Sequence, residues 1–196
     1  MLRIGVTGGI GAGKTYVCRK LEAMGFPVFY SDAAGKRLMN EDTTIRNQLI
    51  ELLGAECYNE NGLNRAFVAE KLFQDPSTKK AIEAIVHPKV AQAFAFWAED
   101  NDSPLVFIES AILYESGFDQ FVDKVLLIDA DVEVRIGRTM QRDICSRKQA
   151  EDRINAQFDS KQTRKRADYI IENNPYSDVN SQLFSLIKML YRLSDS

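Results

Sequence analysis

Short, nearly unbroken apolar runs alternate along this chain with longer stretches in which apolar residues recur at helical spacing. Runs at 2–6, 28–30, 105–108, 125–128 and 169–171 read as strands, and their lack of polar alternation is that of strands covered on both faces. Helical spacing is carried by Val17, Leu21 and Met24, by Ile82, Ile85, Val86, Val90, Phe94 and Trp97, and by Val179, Leu183, Leu186, Ile187, Leu190 and Tyr191. This alternation predicts an α/β fold with a mainly parallel five-stranded sheet and helices on both faces, the last helix covering one of them. The gap between the second and third runs is much longer than a single crossover needs, so residues from about 33 to 102, where only helical patterns occur, read as a helical insertion. Within it Pro88 either kinks one helix or begins a second, with His87 just before it.

The first run leads into Gly8-Gly9-Ile10-Gly11-Ala12-Gly13-Lys14-Thr15, a complete G-x-x-x-x-G-K-[ST] phosphate-binding loop between a strand and a helix. Its glycines let the backbone turn successive N–H groups toward phosphate oxygens, and the positive end of the following helix adds to the attraction. A nucleoside triphosphate is the expected ligand, with Gly11, Ala12, Gly13, Lys14, Thr15 and Tyr16 as its candidate contacts. Lys14 would reach the β- and γ-phosphates, and the Thr15 hydroxyl would ligate Mg²⁺.

Composition narrows the class. The chain has 196 residues, 45% of them hydrophobic, enough for a sizeable core in one domain or one domain with an insertion. No apolar run approaches a membrane span and Met1 leads almost directly into the first strand, so neither a membrane segment nor a signal peptide is expected, and a cytoplasmic location is. Cys18, Cys57 and Cys145 form neither a metal-ligand pair nor an even disulfide set and read as packing or surface thiols. A net charge of −3 gives no nucleic-acid footprint. Between Arg142 and Arg166, however, eight Lys/Arg face four acidic residues, a local +4 against −7 for the rest of the chain. Such a segment suits a polyphosphate, and reads either as a lid that excludes water during group transfer or as a plain polar helical hairpin.

The phosphate loop alone does not choose between switches, motors and kinases. A guanine-reading N-K-x-D is absent, and Asp32-Ala33-Ala34-Gly35 follows the loop too closely for a switch. Asp32 lies at the end of the second strand, on the sheet edge that the loop occupies, where a carboxylate would accept the proton of an attacking hydroxyl. It would equally serve as N-cap of a helix starting at Ala33. Arg135, Arg138 and Arg142 share one helix face and would grip phosphate oxygens, although Asp131 and Arg135 are also an i,i+4 pair that a solvated surface explains. Arg142 and Arg138 are therefore the stronger candidates. A nucleoside monophosphate kinase and a nonenzymatic switch stand as rival readings.

In sum of motifs the chain resembles the dephospho-coenzyme A kinase family over nearly its whole length. Val6-Thr7 with the loop resembles V/L-T-G-G-I-G-S-G-K-S/T; Asp32 matches the second aspartate of D-A-D; His87-Pro88 matches H-P; and Phe107-Ile108-Glu109-Ser110 matches I-E-[ST]. Arg138 to Asp143 resembles R-x-x-x-R-D, Arg153-Ile154 with Gln157 resembles R-I-x-x-Q, and Ala167 to Ile171 with Asn173-Asn174 resembles A-D-x-x-I-x-N-x. The resemblance implies a P-loop kinase-like three-layer sandwich that moves the γ-phosphoryl of ATP, with Mg²⁺, to the ribose 3′-hydroxyl of dephospho-coenzyme A. It makes Asp32, Lys14 and Arg142 catalytic, places Arg138 and Asn173 against ATP, and puts Asp32, His87, Glu109 and Arg153 on the acceptor. The layout it implies is a core of 1–32, 103–141 and 167–196, an acceptor-binding insertion of about 33–102, and a lid of about 142–166. Glu109 would hold a Mg²⁺-bound water or cap the next helix. Two positions depart from the family pattern: Tyr30 stands where D-A-D has its first aspartate, and Ala12 replaces the loop serine.

Overall fold

The computed structural model describes residues 1–75, 77–157 and 160–194. Residue 76 of the expected insertion, residues 158 and 159 of the expected lid and residues 195 and 196 of the core lie outside them. In chain order the elements are β1 (Leu2–Thr7), α1 (Lys14–Ala23), β2 (Val28–Tyr30), α2 (Ser31–Glu41), α3 (Thr43–Leu53), β3 (Tyr58–Asn59), β4 (Gly62–Leu63), α4 (Arg65–Gln74) and α5 (Ser77–Glu99). They continue with β5 (Leu105–Glu109), β6 (Lys124–Asp129), α6 (Val132–Asp143), α7 (Arg147–Asn155), α8 (Ser160–Arg166), β7 (Tyr169–Glu172) and α9 (Val179–Ser194), with single 3₁₀ turns at Ala55–Cys57 and Phe118–Phe121. The chain divides into two compact units, Met1–Phe29 with Ala98–Ser196, and Tyr30–Trp97.

The first unit is built on a five-stranded sheet of order β2-β5-β1-β6-β7. β1 runs parallel to both neighbours, with Val6 opposite Glu109 on β5 and Leu126 on β6, and β7 continues in parallel from Leu126 opposite Tyr169. Ile4, Val6, Leu105, Val106, Phe107 and Ile108 are fully buried, which is why these runs carry no polar alternation. Each predicted strand is present: β2 keeps its expected range, β1, β5 and β7 run one residue further at the C-terminal end, and β6 is one residue longer at each end. α9 buries Val179, Leu183, Leu186, Ile187 and Leu190 in one stripe and packs against β1, β5, β7 and α1. Phe26 joins the layers, its ring edge-on to Phe107 at 5.8 Å and tilted against Tyr191 at 6.2 Å.

The second unit is mostly helical. Asp42 caps α3 by accepting the Ile45 N–H at 2.9 Å, and Lys89 Nζ lies 3.4 Å from the same carboxylate; these contacts hold Asp42 below the usual carboxylate range, the Ile45 bond most. Gly35 gives α2 a close approach to α5, since a Cβ there would lie 3.6 Å from both Val86 and Val90. The expectation of helical patterns alone is corrected by β3 and β4, a two-residue hairpin pairing Tyr58 with Leu63 and Asn59 with Gly62. Its turn is Glu60-Asn61, where the Asn61 N–H donates to Asn59 Oδ1 at 2.8 Å and Gly62 takes φ 98°. The hairpin is anchored by Tyr58, whose hydroxyl donates to the Met39 carbonyl, and by the Leu63 N–H, which donates to Asn40 Oδ1 at 2.9 Å. Pro88 neither ends nor restarts a helix: α5 runs from Ser77 to Glu99 with Pro88 inside it.

Candidate active site

β1 ends at Thr7, where the chain turns into the glycine loop, and α1 opens at Lys14. Gly13 precedes the helix at φ 95°, and a Cβ there would lie 2.2 Å from Asn173 Nδ2, so this position accepts only glycine. The loop is held by its carbonyls. Arg135 Nε donates to Ile10 O at 3.0 Å, Asn173 Nδ2 to Ala12 O at 2.8 Å, and Arg138 Nη1 to Gly11 O and Ala12 O at 3.4 Å each. Arg138 also donates through Nη2 to Asn173 O at 2.9 Å, which closes a ring of bonds linking α6, the end of β7 and the loop. A carbonyl turned to a protein donor leaves the opposite, N–H end of its peptide dipole for an anion.

Lys14 Nζ donates to Gly8 O at 2.8 Å, folded back along the loop, while Thr15 and Tyr16 on the next two positions are exposed. Lys20 Nζ lies over the Tyr16 ring, 4.8 Å from its centre. A cleft of about 340 Å³ is lined by Gly11, Gly13, Lys14, Thr15, Arg138, Gln141 and Arg142. Cys18, behind the loop on α1, is fully buried, and burial with the charges of Glu109 and Glu22 pushes its thiol up to about 12. It is an inert packing residue, as its spacing implied.

The arginine stripe divides in three. Arg138 braces the loop, whereas Arg142 is mostly exposed and forks onto Asp143 with bonds of 2.7 and 3.0 Å. Arg153 on α7 meets the same carboxylate at 2.7 Å, and this cationic pair holds Asp143 below the usual range, Arg142 most. Arg135 is 4% exposed and lies against the loop, so the surface-pair explanation for it does not hold. Its spacing from Arg138 was the available signal. Gln157 likewise reaches the loop, its Oε1 accepting the Ile10 N–H at 2.5 Å. Ile10 itself packs with Ile136, Met140, Cys145, Ala150 and Ile154, a small apolar cluster that seats α7 on α6.

Glu109 ends β5 opposite Val6, one residue from where β1 gives way to the loop. The helix-cap alternative for it fails, because turns fill residues 111–117 and the 3₁₀ turn that follows starts from Gly117. These residues all belong to the first unit. Asp32 and His87 belong to the second, where Asp32 is the second residue of α2 rather than its cap, the chain entering the helix through Ser31. His87 is half-buried on α5, and burial lowers its pKa while Glu83 and Asp32 act to raise it. Among the described residues no helix is long and apolar enough to cross a membrane.

The family model for dephospho-CoA kinase matches residues 2–178. A dephospho-CoA kinase of Bacteroides fragilis is 36% identical over 192 residues, 97% of this chain and 94% of that protein. Among solved structures, a Thermus thermophilus protein superposes with TM-score 0.83 at 32% identity over 96% of each chain. The dephospho-CoA kinase of Campylobacter jejuni does so with TM-score 0.68 at 25% identity over 95% of each. With a phosphate loop, the expected sheet and a family match over most of its length, this chain belongs to the dephospho-CoA kinase family.

Proposed function

We propose that the protein transfers the γ-phosphoryl group of ATP to the ribose 3′-hydroxyl of dephospho-coenzyme A, releasing coenzyme A and ADP. The observation that carries this reading is the bracing of the phosphate loop, in which Ile10, Gly11 and Ala12 all direct their carbonyls to Arg135, Arg138 or Asn173. A loop fixed before its ligand arrives loses little entropy on binding a triphosphate, which is the condition for electrostatic stabilisation of transfer.

Lys14 leaves the Gly8 carbonyl for the β- and γ-phosphates, and Arg138 and Asn173 border the nucleotide. Arg142 and Arg153, shared in the free protein by Asp143, exchange that carboxylate for phosphate oxygens as the segment 142–166 closes as a lid. Asp32 accepts the proton of the 3′-hydroxyl, and the unit that carries it, with His87, receives the acceptor, to which Glu109 also contributes a contact. Mg²⁺ keeps several waters and binds through few protein oxygens and the substrate phosphates. Thr15 Oγ would hold it, and the bound ion would neutralise charge on the β- and γ-oxygens.

Release of ADP, followed by a coupled assay with dephospho-coenzyme A, AMP, shikimate or no acceptor, tests the assignment. Turnover is expected with dephospho-coenzyme A alone. Equal turnover with AMP, or slow release indifferent to acceptor, overturns it.

A further inference from the structure

A second cavity of about 340 Å³ lies on the first unit, walled by the loop at Gly8 and Gly9, by Tyr114, Arg135 and Gln157, and by the carboxylates Glu115 and Asp129 among others. Two of these groups are chemically unusual where they stand. Arg135 is a buried cation whose guanidinium rests on the loop backbone, so closely that a Cβ on Gly9 would lie 2.1 Å from Nη2. Its Nε is spent on the Ile10 carbonyl, and no carboxylate among the described residues lies within ion-pair distance of it. The carboxylate that acts on it electrostatically is Asp129, whose Oδ1 accepts the Ala130 N–H and whose Oδ2 is taken by Arg164. Burial pushes Arg135 down from the usual arginine range, but a guanidinium stays protonated in a protein, so the positive charge remains. The other group is Tyr114, with a buried hydroxyl that has no hydrogen-bond partner among the described residues and a ring on which the Arg166 guanidinium sits 3.8 Å from the centre.

A buried cation with no carboxylate in ion-pair contact and a buried donor without an acceptor are each costly, and both are relieved by one ligand, an anion with several oxygens. We propose that this cavity is a phosphate subsite of the kinase, in which Arg135 and the Tyr114 hydroxyl bind oxygens of a substrate phosphate group. The inference rests on the phosphotransferase reading above. Either the γ-phosphate of ATP or the diphosphate of the acceptor supplies that chemistry, and titrating each substrate separately distinguishes the two.

The test compares Arg135→Gln, Arg135→Lys and Tyr114→Phe with the parent. Each is titrated calorimetrically with ATP and, separately, with dephospho-coenzyme A, and each is assayed for KM toward both. Arg135→Gln is expected to weaken one substrate about tenfold or more, with Arg135→Lys between it and the parent, since Lys keeps the charge and loses the fork. The substrate affected names the phosphate: ATP for the γ-group, dephospho-coenzyme A for the diphosphate. Tyr114→Phe is expected to weaken the same substrate severalfold while leaving the melting temperature of the free protein unchanged or raised, because it deletes only an unpartnered hydroxyl. A merely structural tyrosine would not give that opposition, and Tyr114→Phe stands as a test even if Arg135→Gln folds poorly. Unchanged affinity and KM for both substrates in Tyr114→Phe and in folded Arg135→Gln overturns the subsite. Failure of the parent to phosphorylate dephospho-coenzyme A overturns the functional reading instead, and the ATP titrations still judge the cavity.

Discussion

Asn173 Nδ2 donates to the Ala12 carbonyl at 2.8 Å, tying the turn after β7 to a phosphate loop 161 residues earlier in the chain. Asn173 is buried, its own N–H donates to Asp129 O at 2.7 Å and its carbonyl accepts from Arg138, so one side chain and its backbone join β6, α6 and the loop. Asn173→Ala is expected to cost about 1–3 kcal/mol, the usual penalty for a buried polar group deprived of its partner, and to raise KM for ATP. Urea unfolding and steady-state kinetics check both. Gly13→Ala should be worse, for it forces a side chain into φ 95° and against Asn173. Because the clash is with Asn173 itself, Gly13→Ala should cost less in an Asn173→Ala background than alone; strict additivity would show that the two residues do not press on one another.

Lys14→Ala removes a side chain that in the free protein donates to the Gly8 carbonyl of the loop it serves. We expect turnover to fall to the assay background while the melting temperature stays near the parent's. Near-normal turnover would take Lys14 out of the transfer step.

Asp32→Asn keeps the shape of the first turn of α2 and deletes one negative charge. As Asp32 is not the cap of that helix, its loss has little reason to unfold the unit. The expected outcome is a fall in kcat of about 10²–10⁴, the range of a positioned base, with calorimetric ATP affinity retained. Loss of stability with unaltered kcat in the folded fraction would reduce Asp32 to a structural charge at a helix N-terminus.

The sheet and the phosphate loop were legible because their signals are local. Ile4 and Val6 are buried in a run too short for a helix, and the glycine spacing before Lys14 has one geometrical use. What escaped depends on neighbours that spacing does not reveal. Arg135 and Asp131 stand at the separation of a surface ion pair, yet the guanidinium turns inward to Ile10, a residue brought to it only when the sheet assembles. The β3–β4 hairpin carried a local cue in Asn61-Gly62, but its two-residue strands offer no periodicity to detect. Pro88 leaves open either one helix bent at that point or a second helix beginning there, and the helix continues through it, as Val86, Val90 and Phe94 on either side are all buried. Asp32 and Glu109 each carry a capping alternative, and the two fail for different reasons: α2 begins at Ser31 rather than Ala33, which puts Asp32 inside the helix, and turns rather than a helix follow Glu109.

The single histidine makes a pH experiment unambiguous. His87 is half-buried on α5, and burial lowers its pKa below the ordinary 6.5 against the raising influence of Glu83 and Asp32. The folded protein therefore holds the proton less tightly than the unfolded chain. Between the folded value and 6.5 the unfolded state carries more protons, so the stability contributed by neutral His87 is fully present above 6.5 and is lost as pH falls through that window. His87→Gln, with no group to titrate, should flatten the decline in urea midpoint between pH 7 and about 5, a range above the ordinary titration of Asp and Glu. Parallel declines in parent and variant would mean that His87 is protonated as easily folded as unfolded, and that burial does not govern it.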